Sequence, residues 1–144
     1  MPPSDELDVP EHLLRFPTRA AIDALAKRFG LANEPGMQDW EYQVADPDRI
    51  DEFVAAYESG ELSEDERFTL METIIQSFED LPGPLEADPR WFRLIGILED
   101  NVRFHGCTIW YWSALDQDDL DECWRVTPFM RSLLEKHRTL LETA

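Results

Sequence analysis

Apolar residues recur every three or four positions in five stretches of this chain, and each stretch is bracketed by residues that start or stop a helix. In the first, Ile22, Leu25, Ala26 and Phe29 follow Thr18, whose hydroxyl suits an N-cap. Gly30 then supplies the positive φ on which helices end. The second follows Asp46-Pro47-Asp48, carries Ile50, Phe53, Val54 and Tyr57, and closes at Gly60. Ser63 with Glu66 three residues on has the spacing of a capping box, ahead of Phe68, Met71, Ile74, Ile75, Phe78 and Leu81, and Pro82 ends that run. The fourth opens at Asp88-Pro89 and places Trp91, Leu94, Ile95, Leu98 and Val102 on one side, with Phe92 and Ile97 beside them, before Gly106. So wide a stripe predicts a central helix with neighbours on several sides. The last starts at Thr127-Pro128 and carries Met130, Leu133, Leu134 and either Leu140 or Leu141. Arg131 with Glu135, and Glu99 with Arg103, stand at the i, i+4 spacing of helical ion pairs.

Two stretches break the pattern. Trp40 to Val44 alternates with period two, and Cys107 to Trp112 is β-branched and aromatic, so both favour strands by propensity and a small two-stranded element is left open. Residues 1–11 hold three prolines and four acids with little to bury, which predicts a flexible arm. The fold expected is mainly α: a single-domain bundle of about five or six helices over residues 12–144. At 144 residues such a domain removes roughly 68–70% of the unfolded chain's surface from water, enough for a core without staples.

Charge changes the picture more than composition does. There are 13 Lys and Arg against 31 Asp and Glu, a net of −18. That field repels phosphate backbones and anionic headgroups, so neither nucleic acid nor a membrane surface is expected as a partner. No apolar run reaches the length of a membrane span, and residues 1–6 lack the basic and apolar regions of a signal peptide, which points to the cytoplasm. The acids are unevenly spread: residues 32–89 hold 17 of them against Arg49 and Arg67 alone. In the second helix Asp48, Asp51, Glu52 and Glu58 fall away from the apolar stripe, and Glu61, Glu64, Asp65 and Glu66 follow at once. Like charges this dense repel one another, so a basic partner is one reading and solubility alone is the other.

Site motifs are few. The six glycines never cluster, which excludes a phosphate-cradling loop and a dinucleotide fingerprint, and no serine is flanked as Gly-x-Ser-x-Gly. No cofactor is implied, and no catalytic residue is assigned. His105, Cys107 and Cys123 are metal-ligand types without Cys-x-x-Cys or His-x-x-x-His spacing; burial of the cysteines as small hydrophobes, with His105 at a helix end, is the simpler account. A calcium loop from Asp116 fails at Leu120, Asp121 and Thr127, so Asp118 or Asp119 reads as the cap of a short helix in an acidic turn. Trp110 and Trp112 belong to the core or, if part of the aromatic run is exposed, anchor an interface.

Trp91-x-x-Leu-Ile-x-x-Leu98, Asn101 to His105, Thr108-Ile109-x-x-Trp112 and Thr127-Pro-x-Met-Arg131 together resemble small acidic bacterial cytoplasmic proteins of the immunity-protein type. The resemblance spans residues 88–135 and implies a protein that neutralises a cognate toxin; it brings no catalytic residues. The expected function is a protein-interaction module. Its partner-binding residues would be Asp48, Asp51, Glu52, Glu58, Asp118 and Asp119, with Trp110 and Trp112 as anchors, and its partner a basic protein. The alternatives are a small-ligand or regulatory domain built around Trp110 and Trp112, and a small enzyme using His105 with an acid or Cys107.

Overall fold

A computed structural model describes residues 9–144. Seven α-helices form among the described residues: α1 Arg19–Phe29, α2 Trp40–Gln43, α3 Ile50–Glu58, α4 Glu64–Glu79, α5 Pro89–Asp100, α6 Gly106–Trp112 and α7 Thr127–Glu142. Short 3-10 turns lie at Glu11–Leu13, Pro47–Arg49, Leu85–Ala87 and Leu120–Glu122. The mainly helical expectation is met, and no strand forms among the described residues. Of the arm expected over 1–11, residues 1–8 lie outside the described residues. The described residues gather into two compact units, one of Phe16–Pro82 and one of residues 9–15 with Gly83–Ala144.

In the Phe16–Pro82 unit the local signals act as the sequence predicts. The Thr18 hydroxyl accepts the Ala21 N–H at 3.1 Å, and Gly30 closes α1 at φ 65°. Asp46 caps the turn into α3 by accepting the Asp48 N–H at 2.9 Å. Both arms of the capping box form at α4: Glu66 N–H to Ser63 Oγ at 3.1 Å and Ser63 N–H to Glu66 Oε1 at 3.0 Å. Ser63→Ala removes one arm and orphans the donor it satisfied, so a loss of about 1 kcal/mol is expected in urea denaturation.

The most enclosed helix is α4, not the one after it. Phe68 to Ile75 are buried without a break and α1, α2 and α3 pack around them, whereas Phe92 on α5 is 51% exposed. A broad stripe misidentified the central helix because Thr69, Glu72, Thr73 and Ser77, polar by type, are buried in α4. Three of the four are hydrogen-bonded there. Thr73 Oγ1 donates to the Glu41 carbonyl at 2.7 Å, Ser77 Oγ accepts the Asp46 N–H at 3.0 Å, and the Tyr42 hydroxyl donates to Glu72 Oε1 at 2.9 Å.

That polar seam is why residues 40–44 are not a strand. Trp40 Nε1–H donates to the Ala32 carbonyl at 2.6 Å, and α2 is then fixed on α4 by Tyr42 and by the Glu41 carbonyl. Adjacent residues Trp40 and Glu41 are both buried, which alternation forbids but one helical turn permits. With no second strand beside it, the segment satisfies its backbone locally, starting from Asp39 in the left-handed region at φ 52°.

Glu41 is 7% exposed, and burial is the main cause that raises its pKa, with nearby Asp39 adding to it. The folded pKa therefore lies above the unfolded one. The favourable contribution is complete below the unfolded pKa and lost as pH rises through the folded value. Glu41→Gln is expected to raise the melting temperature at neutral pH and leave it unchanged near about pH 3, where the wild-type carboxyl is largely neutral in both states. Melts at the two pH values check this.

In the other unit, Asp88 caps α5 through the Arg90 N–H at 2.9 Å with Pro89 in the first turn. The aromatic run at 107–112 lies in α6, which corrects the strand reading. Thr108, Ile109, Trp110 and Trp112 are all buried, and a helix pairs its own backbone where a strand would need a partner edge. On α7 the inward residue is Leu141, while Leu140 is 45% exposed. Neither expected i, i+4 pair is what these cations use. Glu99 instead meets Lys136 Nζ at 2.7 Å and His137 Nε2 at 2.7 Å, which hold its carboxyl below the usual range. Arg103 donates to the Thr143 carbonyl at 3.1 Å. Arg131 donates to backbone carbonyls at the end of α6: Ser113 at 2.6 Å, Ala114 at 2.8 Å and Gln117 at 2.8 Å.

Candidate functional site

The expected partner-binding acids divide between the two units. Asp48, Asp51, Glu52 and Glu58 belong to Phe16–Pro82, and Asp118 and Asp119 to the other unit. All six are exposed. Asp119 caps the Leu120–Glu122 turn by accepting the Asp121 N–H at 2.9 Å, so the duller reading of that acidic stretch accounts for its side chain.

The first group is organised by α3. The apolar residues Ile50, Phe53 and Tyr57 point into the core, which forces Asp51, Ala55 and Glu58, at i, i+4 and i+7, onto the outer face with Glu52 beside them. Asp51 and Glu52 also sit in the first turn, where the helix dipole favours negative charge. The unit carries 16 Asp and Glu against five Lys and Arg, a net of −11.

Into this face opens a groove of about 310 Å³ lined by Arg28, Phe29, Glu52, Ala55 and Ala56. Its floor is apolar and its rim is ionic. Arg28 Nη2 pairs with Glu61 at 2.8 Å, and Arg49 forms a two-pronged pair with Glu52 at 2.8 and 2.9 Å. Arg49 also donates to the Phe29 carbonyl at 2.9 Å and stacks over the Phe29 and Phe53 rings at 5.8 and 5.5 Å. The guanidinium beside each carboxyl lowers the pKa of Glu52 and of Glu61. Both therefore begin to protonate at a lower pH than a free glutamate does. Chemically the face can attract and orient cations around a small apolar depression. The groove itself was not read from the sequence. The signal available was Ala55, a small residue in the middle of an acidic helical face.

The aromatic anchors are corrected: Trp110 and Trp112 are each 1% exposed and lie in the core, so neither presents a surface to a partner or a ligand. Trp112 packs against Trp124 with centroids 4.7 Å apart and planes tilted by 60°, and Arg138 lies over the Trp110 ring at 5.3 Å. His105 is fully buried at the entry of α6 rather than at the exit of α5. Cys107 contacts the Arg15 carbonyl at 3.6 Å and Cys123 the Asp119 carbonyl at 3.5 Å. Among the described residues no three His, Cys, Asp or Glu side chains converge as a metal ion would require. Nor is any helix among them long and apolar enough to cross a membrane.

No family model matches the chain, and no curated protein or solved structure matches it either.

Proposed function

We propose that the protein is a cytoplasmic protein-interaction module whose acidic α3 face binds a basic protein, in the manner of an immunity-type inhibitor. The observation that supports this reading most is the groove lined by Arg28, Phe29, Glu52, Ala55 and Ala56, on the helix face that also carries Asp51 and Glu58. An apolar depression inside a charged rim is the arrangement of a protein interface, in which buried contacts supply affinity and the rim supplies steering. A carboxylate-rich surface of this kind covers a cationic site, such as one that acts on nucleic acid, and speeds encounter with it.

Asp51→Lys with Glu58→Lys is the decisive variant, because it reverses charge on the outer face while leaving the Arg49–Glu52 pair in place. Association with the basic partner is expected to slow by about tenfold or more at low salt, with the helices retained by circular dichroism and the melting temperature lowered slightly as Asp51 leaves the first turn of α3. Asp118→Lys, on the other unit, is expected to have a much smaller effect. An association rate unaltered by the α3 reversal would remove the proposal.

A further inference from the structure

Asp51, Ala55 and Glu58 are exposed along one side of α3, so their spacing is that of the helix itself. Ala55 stands roughly 6 Å and Glu58 roughly 10.5 Å beyond Asp51 along the axis. The groove opens beside the middle residue, between the last turn of α1 and α3.

Both charged residues that line the groove are engaged within the chain. Arg28 pairs with Glu61 at 2.8 Å, and Glu52 with Arg49 at 2.8 and 2.9 Å. A cation entering the groove would meet Arg28 and Arg49, and would gain a carboxylate only by breaking one of these pairs. An apolar side chain instead meets the Phe29 ring and the methyl groups of Ala55 and Ala56, and leaves both pairs intact. At about 310 Å³ the depression is at the small end of binding cavities, with room for one anchoring side chain. Cationic contacts belong on either side of it, at Asp51 and Glu58. Counted on this face, the four carboxylates of Asp51, Glu52, Glu58 and Glu61 outnumber the two guanidiniums, so the local balance is negative.

Spacing selects the shape of the occupant. An extended segment places successive side chains of one face about 6.7 Å apart, so one that matched Asp51 and Ala55 would overshoot Glu58 by roughly 3 Å. A helix has the period of α3 and meets all three, and the small side chain of Ala55 lets its backbone approach.

We infer that α3 docks an amphipathic helix of a basic protein, laid antiparallel, that presents a Lys or Arg, an apolar residue three positions on and a second Lys or Arg four positions after that. The first cation meets Glu58, the apolar side chain enters the groove at Ala55, and the second cation meets Asp51. In this direction the positive N-terminal end of the partner helix lies at the electronegative C-terminal end of α3. Helix-in-groove recognition reads anchors at this repeat. The inference rests on the proposed binding role of the α3 face and adds the form of the partner and the order of its contacts.

The test is the fluorescence anisotropy of a fluorescein-labelled helical peptide titrated with the full chain at low salt. The peptide is built of about eighteen residues, alanine and glutamine apart from the lysine, leucine and lysine of that pattern. A control of the same composition keeps the spacing of its lysines but carries them on the side opposite the leucine. The patterned peptide is expected to bind about tenfold more tightly than the control. Ala55→Leu fills the groove from an exposed position and barely alters helix propensity, so the fold is kept. It is expected to weaken the patterned peptide about tenfold and to leave the control as it was. Asp51→Lys with Glu58→Lys is expected to abolish binding of both. Equal binding of the two peptides, or patterned binding that survives Ala55→Leu, would overturn the inference; loss of both in the charge-reversed chain would then still support the α3 face as a site for cations. Absence of patterned binding to wild type would overturn the inference alone, since the association rate with the intact basic partner judges the face separately. Binding of both peptides unchanged by the charge reversal would overturn the inference and the reading of the face together.

Discussion

Trp112→Ala is expected to lower the stability of the protein by about 3–5 kcal/mol, the range for truncating a buried tryptophan to alanine. The indole is 1% exposed and lies 4.7 Å from the Trp124 ring and 5.5 Å from Tyr111, while the bond from the Thr127 hydroxyl to the Trp112 backbone carbonyl at 2.9 Å is kept in the variant. The cavity would open where α6 and α7 pack against each other. Urea denaturation checks the figure. A loss below about 1 kcal/mol would mean a site that collapses freely or a side chain outside the core, which is the expectation for a surface anchor.

Arg131→Met is expected to cost roughly 3 kcal/mol, because hydrogen bonds made by a charged donor are each worth more than neutral ones and several are lost together. The guanidinium gathers the carbonyls of Ser113, Ala114 and Gln117. It thereby fixes a chain reversal in which Ala114, a residue with a Cβ, sits in the left-handed region at φ 47°. Methionine keeps the apolar stem and removes the fork, so the loss reports the clamp rather than packing. Arg131→Lys should recover little of it, since one ammonium cannot span three carbonyls. Hydrogen exchange at residues 113–117 should accelerate in both variants while α1 to α4 keep their protection.

What the sequence disclosed, and what it withheld, follows the range of the forces involved. Caps and stops act within four residues, so Thr18, Gly30, Ser63–Glu66, Asp46 and Asp88 could be read directly and stand where expected. The α3 face was legible for the same reason: a stripe of Ile50, Phe53 and Tyr57 leaves only one outward side for Asp51 and Glu58. The failures involve partners distant in sequence. Residues 40–44 have the alternation of a strand, but Tyr42 finds Glu72 and the Glu41 carbonyl finds Thr73, about thirty residues on. Arg131 has an acid one turn away and uses three carbonyls instead. The groove beside Ala55 needs Arg28 and Phe29 from another helix, and the space over Gly106 is filled by Leu13 and Leu141. No local pattern records either pairing.

The central claim is that the outer face of α3 carries the binding function. The most direct measurement is a paired affinity capture from native cell lysate, with wild type on one column and the Asp51→Lys, Glu58→Lys chain on the other, each eluted by a salt step. The account predicts one basic protein held in stoichiometric amount by wild type, released steeply by salt as screening weakens its hold on the rim, and missing from the charge-reversed column. The same proteins retained on both columns, or none on either, would contradict it and leave the acidity of α3 as a property of the surface alone.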